Sequence, residues 1–294
     1  MLNDVRIAAV AVDTQPGQLA ENLEKISEWA GNAASAGAQL VLFQELSLSG
    51  FLPNHPTQDH DAWLRETLQI GRTIAQALDG PAVRGLARIA AEHGLMVSAG
   101  LLEDAGNVLH NTQVLVDGSG LVGHWRKMHV PMYETPFYNG GGVPKVVETP
   151  LGRIGANICF DALMPESTRL LAVQNVEIVL FPFASDPPPV TPQGWASWAG
   201  TALKSRCAEN GVYGVACNYV GTPTCASVSQ FFPGGGMAVD PRGNVFGDWA
   251  APTGEPGMLV VDLSADVLRQ ARAEPEYLYR FRRPELYGSL AEVR

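Results

Sequence analysis

The sequence is short of basic residues and of long apolar runs. Its 294 residues include 20 Lys and Arg against 30 Asp and Glu, which gives a formal net charge of -10. Nucleic acid is therefore not an expected partner, because its recognition usually needs a basic patch. Nowhere do about 18 apolar residues follow one another, so we expect no membrane-spanning helix. Residues 1–13 lack a basic leader and predict a first strand rather than a signal peptide.

The sequence also lacks the spacings that typify metal sites. No C-x-x-C pair is present, so neither a zinc site nor a redox dithiol is indicated among the four cysteines, Cys159, Cys207, Cys217 and Cys225. Reduced thiols are typical of the cytoplasm, where we expect this protein. Two pairs of histidines lie five residues apart, His55 with His60 and His124 with His129. This spacing does not place two ligands on one helical face, and we expect no bound metal.

What the chain does have is enough apolar material for a large core. Hydrophobic residues make up 46% of the sequence, and we predict a single domain over residues 1–294. Residues 6–12 and 40–45 read as buried strands, and residues 18–34 between them have apolar side chains at helical spacing. Further helices are predicted at 61–78, 82–93 and 195–210. Further strands are predicted at 95–102, 111–116, 121–126, 153–158, 177–183, 212–218 and 257–263, with two more around the turn at 240–243. This mixture predicts an α/β fold of layered sheets covered by helices.

Cys159 stands where a predicted strand meets a predicted helix. Pro165 and Glu166 suit the first turn of that helix, which places Cys159 in the sharp turn between the two elements. Such a turn lifts a nucleophile above a sheet and directs backbone N–H groups at the atom that it attacks. The alternative is a core cysteine, because free cysteine is among the most buried residue types.

Two further polar side chains end predicted strands. Glu45 ends the apolar segment LVLFQE, and Lys127 follows the strand at 121–126. A carboxylate at the carboxyl end of a buried strand is where open α/β sheets place groups that face ligands. Each residue alone could equally be a solvated strand end, since lone Glu and Lys side chains are mostly exposed.

The order of these three residues resembles the nitrilase or carbon-nitrogen hydrolase superfamily, whose catalytic set is Glu, Lys and Cys in that order. The matching segments are FQEL (43–46), RKMHVP (126–131), NICFD (157–161), RCAENGVYGVACN (206–218), DPRGNV (240–245) and RRPELY (282–287). Two departures are Gln44, where the family usually has proline, and Met237, where a serine is common. The resemblance also indicates Glu134, seven residues after Lys127, as a second glutamate that helps to place substrate or pass protons.

The resemblance implies a four-layer α-β-β-α sandwich that forms a homodimer or a larger homo-oligomer. We expect the C-terminal extension, from about residue 265, at that interface. It also implies a reaction in which Cys159 forms a thioester, Glu45 is the general base, and Lys127 with the Phe160 backbone N–H stabilises the oxyanion. This chemistry requires no metal or organic cofactor. A protease that uses His124 or His129 as base, and a non-catalytic binding protein on the same fold, are the alternatives.

The residues after Cys159 favour one kind of small-molecule substrate. The segment CFD resembles the amidase and carbamoylase branches, so we expect amide hydrolysis, with N-carbamoyl compounds or nitriles as alternatives. Ala162 and Leu163 occupy positions where members that bind a substrate carboxylate often have arginine. We predict an apolar pocket wall from Ala162, Leu163, Met164, Phe183, Trp195 and Trp198, although these residues could equally be core, and we predict that the proline-rich loop at 186–194 rims it. The predicted substrate contacts are Phe160, Leu163, Phe183 and Trp195.

Overall fold

The computed structural model describes residues 1, 3–55 and 59–292. Sixteen strands are defined in these residues: β1 Val5–Ala11, β2 Leu40–Phe43, β3 Met96–Asp104, β4 Leu109–Asp117, β5 Gly120–Arg126, β6 Val147–Thr149, β7 Gly152–Ala156, β8 Ile178–Phe183, β9 Tyr213–Asn218, β10 Val220–Gly221, β11 Thr224–Cys225, β12 Val228–Ser229, β13 Phe232–Pro233, β14 Gly236–Val239, β15 Val245–Gly247 and β16 Gly257–Leu263. The α-helices are α1 Leu19–Ser35, α2 His60–Ile74, α3 Pro81–His93, α4 Pro165–Ala172, α5 Pro192–Asn210 and α6 Ala265–Ala273.

Two six-stranded sheets form the centre of the fold. Their strand orders are β16-β1-β2-β3-β4-β5 and β15-β14-β9-β8-β7-β6. In each sheet three neighbouring strands are parallel, β1, β2 and β3 in one and β7, β8 and β9 in the other. Since the carboxyl ends of parallel strands meet at one sheet edge, ligand-facing groups can gather there.

The alternation of side chains along each strand explains why four layers form. In β2, Leu40 and Leu42 lie in the apolar layer between the sheets, whereas Val41 and Phe43 pack against α1 and α3. In β8, Ile178 and Leu180 face the other sheet, whereas Val179 and Phe181 pack beneath α4 and α5. Strands that are buried on both faces read as continuous apolar runs, as these do. The predicted α-β-β-α sandwich is confirmed.

Element boundaries differ from the sequence prediction where side chains replace backbone partners. Strand β2 ends at Phe43 rather than at Glu45, because the Gln44 side chain accepts a hydrogen bond from Val12 N (3.2 Å) and donates one to Val12 O (2.5 Å). This amide extends the pairing with β1 past the end of β2. Helix α5 begins inside the predicted loop, since Thr191 caps it by accepting from Gly194 N at 3.0 Å.

Of the helices in the described part of the chain, none has both the length and the apolar character needed to cross a bilayer.

Candidate active site

Glu45, Lys127 and Cys159 follow the carboxyl ends of β2, β5 and β7. The structure brings Glu45 and Lys127 into direct contact, with 2.8 Å between Glu45 Oε1 and Lys127 Nζ. Cys159 lines a cavity of about 300 Å³ together with Glu134, which in turn contacts Lys127. Residues from both sheets therefore meet at one place.

The Cys159 turn has the geometry of a nucleophile elbow. Its φ angle is 47°, in the left-handed region that non-glycine residues rarely adopt, and strain of this kind clusters at functional sites. A 3₁₀ helix, Cys159–Leu163, follows at once and leads into α4. The thiol is almost fully buried, and its Sγ lies 3.3 Å from Ser185 Oγ and 3.9 Å from Ala184 O.

A second tight turn holds Glu45. Leu46 has a φ of 52°, and the chain passes so close to Gly100 that a Cβ there would lie 2.2 Å from Leu46 N. Asn111 Nδ2 donates to Glu45 Oε1 at 2.6 Å. The other oxygen, Glu45 Oε2, is fully buried and has no hydrogen-bond partner within the described residues. That oxygen is free to accept a proton.

Lys127 is a buried cation between two carboxylates. Its ammonium donates to Glu45 Oε1 and, at 2.6 Å, to Glu134 Oε2. Glu134 is held by two further donors, the Tyr138 hydroxyl to Oε2 and Asn54 Nδ2 to Oε1 at 3.4 Å. A buried charge needs such partners, because burial without them is costly.

This arrangement shifts the pKa values of all three groups. Burial alone would lower the pKa of Lys127, but Glu134 and Glu45 outweigh it and hold that pKa well above its usual range. Burial raises the pKa of Glu45, despite the opposing effect of Lys127. Burial, with the nearby Glu45 carboxylate, also raises the pKa of the Cys159 thiol. Cys159 is thus a thiol at rest, and an attack by its sulfur requires a base.

Asp161 ties the two turns together. Its Oδ2 accepts from Met128 N and from Ile158 N, each at 3.2 Å. These nitrogens belong to the residue after Lys127 and the residue before Cys159. Asp161 is itself buried, so its carboxylate joins the end of one sheet to the end of the other through polar contacts.

The cavity wall differs from the one that the sequence predicts. Phe160 lines it, but the structure does not bring Leu163, Phe183 or Trp195 to it. Phe183 and Trp195 are fully buried and pack edge to face at 5.5 Å, and the Leu163 carbonyl accepts from Arg206 Nη2 at 3.0 Å. Of the aromatic side chains predicted at the wall besides Phe160, only Trp198 lines the cavity, and Tyr133, which was not predicted, lines it too.

Neither predicted histidine base contacts the thiol. His129 Nδ1 is bonded to Asp161 Oδ1 at 2.9 Å, and this bond raises the pKa of His129. His124 lies in strand β5 and lines a different cavity, and burial lowers its pKa. The described residues contain no group of three or more His, Cys, Asp or Glu side chains placed to hold a metal ion.

Several supporting residues are absent from the sequence prediction. Asn111, Tyr138, Asn54, Ser185 and Asp161 contact the predicted residues from separate loops and strands. The sequence does indicate two of them. Asn111 is a polar residue in a mostly apolar strand, and Tyr138 follows Glu134 by four positions. The other contacts arise only when the two sheets pack.

The family profile described as carbon-nitrogen hydrolase matches residues 6–273. The chain therefore belongs to this family, and it is an amidase-like enzyme that hydrolyses carbon–nitrogen bonds other than peptide bonds. The resemblance inferred from the sequence is confirmed.

Similar proteins differ in the activities for which they are named. The chain is 28% identical to a nitrilase from Pyrococcus abyssi, covering 96% of this chain and 99% of that protein. It is 26% identical to a citrullinase from Francisella tularensis, covering 98% of each chain. It is 28% identical to an (R)-stereoselective amidase from a Pseudomonas species, covering 98% of this chain and 95% of that protein.

Solved structures show the same fold. An amidase from a Nesterenkonia species matches with a TM-score of 0.74 at 26% identity, covering 97% of this chain and 95% of that one. A variant of that amidase, with a TM-score of 0.74 at 25% identity and coverages of 97% and 96%, carries the acetamide moiety of fluoroacetamide covalently added at its active-site cysteine.

Proposed function

We propose that this protein hydrolyses a small amide to an acid and ammonia through a thioester on Cys159. The observation that carries the proposal is the buried Glu45–Lys127–Glu134 cluster, whose member Glu134 lines the same cavity as the strained cysteine turn. Glu45 is the general base, and Lys127 stabilises the oxyanion. The amide chemistry at the cysteine of the Nesterenkonia amidase supports this choice.

In the first half of the reaction, Glu45 takes the thiol proton as sulfur attacks the amide carbon. Negative charge then develops on the carbonyl oxygen, where Lys127 and the Phe160 backbone N–H stabilise it. One such donor typically contributes about 3 to 4 kcal/mol to the barrier. Protonated Glu45 returns the proton to the amide nitrogen, the carbon–nitrogen bond breaks, and ammonia leaves the thioester.

In the second half, water replaces ammonia. Glu45 takes a proton from the water as its oxygen attacks the thioester carbon, and Lys127 again faces the oxyanion. The carbon–sulfur bond then breaks, the proton passes to sulfur, and the acid is released. The raised pKa of Glu45 suits both proton transfers, because a carboxylate that binds its proton more tightly is a stronger base, and its acid form can still donate that proton to the leaving group.

Glu134 has a supporting role in this scheme. Its carboxylate holds the Lys127 ammonium and is itself fixed by Tyr138 and Asn54. Because Glu134 also lines the cavity, it can place the nitrogen end of a substrate amide. We assign Glu134 to positioning and proton transfer beside Glu45.

N-carbamoyl hydrolysis is the second candidate, since the citrullinase from Francisella tularensis is a relative of this chain. A panel of primary amides, N-carbamoyl compounds and nitriles, read by ammonia release, tests the choice. Burst formation of an acylated Cys159, seen as a mass increase of the intact protein, is expected with amides. Turnover of nitriles alone, or no turnover of any compound, contradicts the proposal.

The C-terminal extension is proposed to bind a second copy of the chain. After α6 it continues as short 3₁₀ turns whose apolar side chains point outward, and Leu278, Phe281, Leu286 and Leu290 are each at least 60% exposed. Exposed apolar patches of this kind mark interaction sites. Light scattering of the full chain and of a chain that ends at Glu274 tests it, and an unchanged mass per particle contradicts it.

A further inference from the structure

Apart from the His55 ring, the ionisable side chains with a formal charge that line the cavity are carboxylates. Glu134 and Asp186 supply carboxylates, whereas none of the described lining residues is Lys or Arg. Lys127 lies beside the cavity, but Glu45 and Glu134 already bind its ammonium. With both glutamates ionised these three groups sum to -1, and with Glu45 protonated they sum to zero. In either state Asp186 leaves the substrate site negative.

Asp186 is held at the cavity wall by a fixed loop. The preceding residue, Ser185, donates its N–H to Asn218 Oδ1 at 2.9 Å and accepts from Asn218 Nδ2 at 2.8 Å. The Asp186 contacts with Gln230 Nε2 and His55 Nε2, both at 3.3 Å, go to Oδ2. Its Oδ1 has no partner within the described residues, and its side chain is 26% exposed. One carboxylate oxygen is therefore open to a ligand.

The neighbours of Asp186 are an uncharged amide, Gln230, and the His55 ring. Gln230 Nε2 can only donate, and it lies 3.2 Å from His55 Nε2. His55 Nε2 also lies 3.3 Å from Asp186 Oδ2, so both neighbours contact the same carboxylate oxygen and leave Oδ1 open. Gln230 is fixed in turn, because its Oε1 accepts from Asn54 N at 3.1 Å.

Two aromatic side chains line the same cavity as this carboxylate. Trp198 and Tyr133 line the same cavity and are 37% and 50% exposed. Phe183 supports Trp198 from below, with 6.3 Å between the ring centroids. The faces of Trp and Tyr rings attract cations, most strongly where water is partly excluded. A carboxylate beside two aromatic faces is a common way to bind an ammonium group.

The reacting groups beside the cavity include an acceptor oxygen that is open to a proton. Glu45 Oε2 is a fully buried carboxylate oxygen without a partner in the described chain. A cavity of about 300 Å³ lies at the lower end of the usual range for ligand sites, so the substrate is small. Its amide must reach Cys159 while the rest of the molecule extends towards Asp186.

From this arrangement we infer that the preferred substrate is a small amide whose acyl chain carries an ammonium group, which Asp186 binds between Trp198 and Tyr133. This inference rests on the proposed amide hydrolysis. It goes further, because it assigns a charge to the part of the substrate that does not react. Amides with a carboxylate at the same place are expected to be poor substrates, since the wall offers that group no cation.

Three amides of similar length provide the test: 4-aminobutyramide, pentanamide and succinamate. They are cationic, neutral and anionic at neutral pH, and ammonia release gives kcat/KM for each. We expect 4-aminobutyramide to exceed pentanamide, and pentanamide to exceed succinamate, with at least tenfold between the first and the last. The ratio of kcat/KM for 4-aminobutyramide over succinamate should fall as salt is added, because salt screens charges at a partly open site.

The variants Asp186→Asn and Asp186→Lys assign the effect to one side chain. Asp186→Asn should lower the ratio of kcat/KM for 4-aminobutyramide over pentanamide about tenfold, and Asp186→Lys should favour succinamate. Ratios within one variant do not depend on its folded fraction. Asp248→Asn, an exposed residue outside the cavity wall, is the matched control and should leave the ratios as in the wild type.

The outcomes separate this inference from the proposed function. If none of the three amides releases ammonia and none acylates Cys159, amide hydrolysis itself is wrong. If the amides are hydrolysed but kcat/KM is the same for all three, or is highest for succinamate, the charge inference is overturned. It is also overturned if Asp186→Asn lowers all three values by the same factor.

Discussion

Asp161 binds His129 twice, because its Oδ1 lies 2.8 Å from the backbone nitrogen and 2.9 Å from ring Nδ1. Its other oxygen accepts from Met128 N and Ile158 N. One buried carboxylate thus fixes the chain on the carboxyl side of Lys127 and on the amino side of Cys159. The position of the Lys127 ammonium relative to the Cys159 sulfur therefore depends on the hydrogen bonds of Asp161.

The first prediction follows from the donors that surround Asp161. Asp161→Asn keeps the shape but replaces one acceptor oxygen with an NH₂ group, which faces backbone N–H donors. We expect kcat to fall about tenfold or more while KM changes less, because a small misplacement of reacting groups is costly. Steady-state kinetics on a neutral amide measure the split. Asp117→Asn, which alters only an exposed hairpin contact with Ser119, is the control. Equal losses in both variants would contradict a positioning role.

A second prediction concerns pH. The hydrogen bond to Asp161 raises the pKa of His129 above that of an unfolded histidine. The protonated ring therefore contributes its full stabilisation at pH values below the pKa of the unfolded-state histidine, about 6.5. That contribution is lost as the pH rises through the higher pKa that His129 has in the folded protein. Urea unfolding of wild type and His129→Gln should differ most near pH 5.5 and least near pH 8.5. A difference that grows with pH would show that the ring acts in its neutral form.

Gly100 carries a third prediction. A Cβ at this position would lie 2.2 Å from Leu46 N and 3.0 Å from the carbonyl carbon of Glu45, so the turn that holds Glu45 must shift. Gly100→Ala should reduce kcat strongly and lower the melting temperature. Gly142→Ala is matched to it, because a Cβ there meets nothing within 4 Å and its φ is not in the left-handed region. Wild-type kcat in Gly100→Ala would mean that Glu45 is not held by this close approach.

The site residues that could be predicted from the sequence are polar residues at the ends of apolar strands. Glu45, Lys127 and Cys159 were indicated because each interrupts or ends an apolar strand, and strand ends converge in α/β sheets. Asn111, Ser185 and Asp161 were missed because their partners lie 66, 26 and 33 residues away in sequence. The roles of the predicted residues stay predictions until kinetics test them.

The cavity wall was harder to predict for a different reason. Phe183 and Trp195 belong to an apolar and aromatic segment that is typical of core and of pocket alike. Only the packing of α5 on its sheet decides that Trp195 is fully buried while Trp198, three residues later, is exposed to the cavity. The sequence predicts that the loop at 186–194 rims the pocket, and Asp186 and Pro187 do line it, but the pattern does not indicate that Asp186 is the charged contact.

A fourth prediction is that Cys159 is the one essential thiol. Cys159→Ala should abolish ammonia release and acylation of the protein while leaving the melting temperature close to that of the wild type, since one sulfur atom is removed. Cys225→Ser changes a buried thiol that does not line the cavity, and this variant should keep most activity. Intact-protein mass after brief exposure to substrate reports acylation directly. Full turnover in Cys159→Ala would end the thioester mechanism.

The last prediction distinguishes the role of Glu45 as general base from the role of Lys127 in stabilising the oxyanion. Glu45→Gln keeps the contact with Lys127 but cannot accept a proton, so both formation and hydrolysis of the thioester should slow. Lys127→Met removes the cation that faces the oxyanion, and kcat should fall at least hundreds-fold. It also leaves two carboxylates buried without their cation, which should cost about 3–5 kcal/mol of stability unless they take up protons.

The two variants must therefore be compared at equal folded fraction, which circular dichroism measures, and by alkylation of Cys159 as well as by turnover. Glu45→Gln should slow alkylation at neutral pH because the thiol has lost its base, whereas Lys127→Met should affect alkylation less than kcat. His129→Ala is the control for the alternative base. If His129→Ala abolished alkylation while Glu45→Gln left it unchanged, the general base would be histidine, and the assignment of Glu45 would fail at its central step.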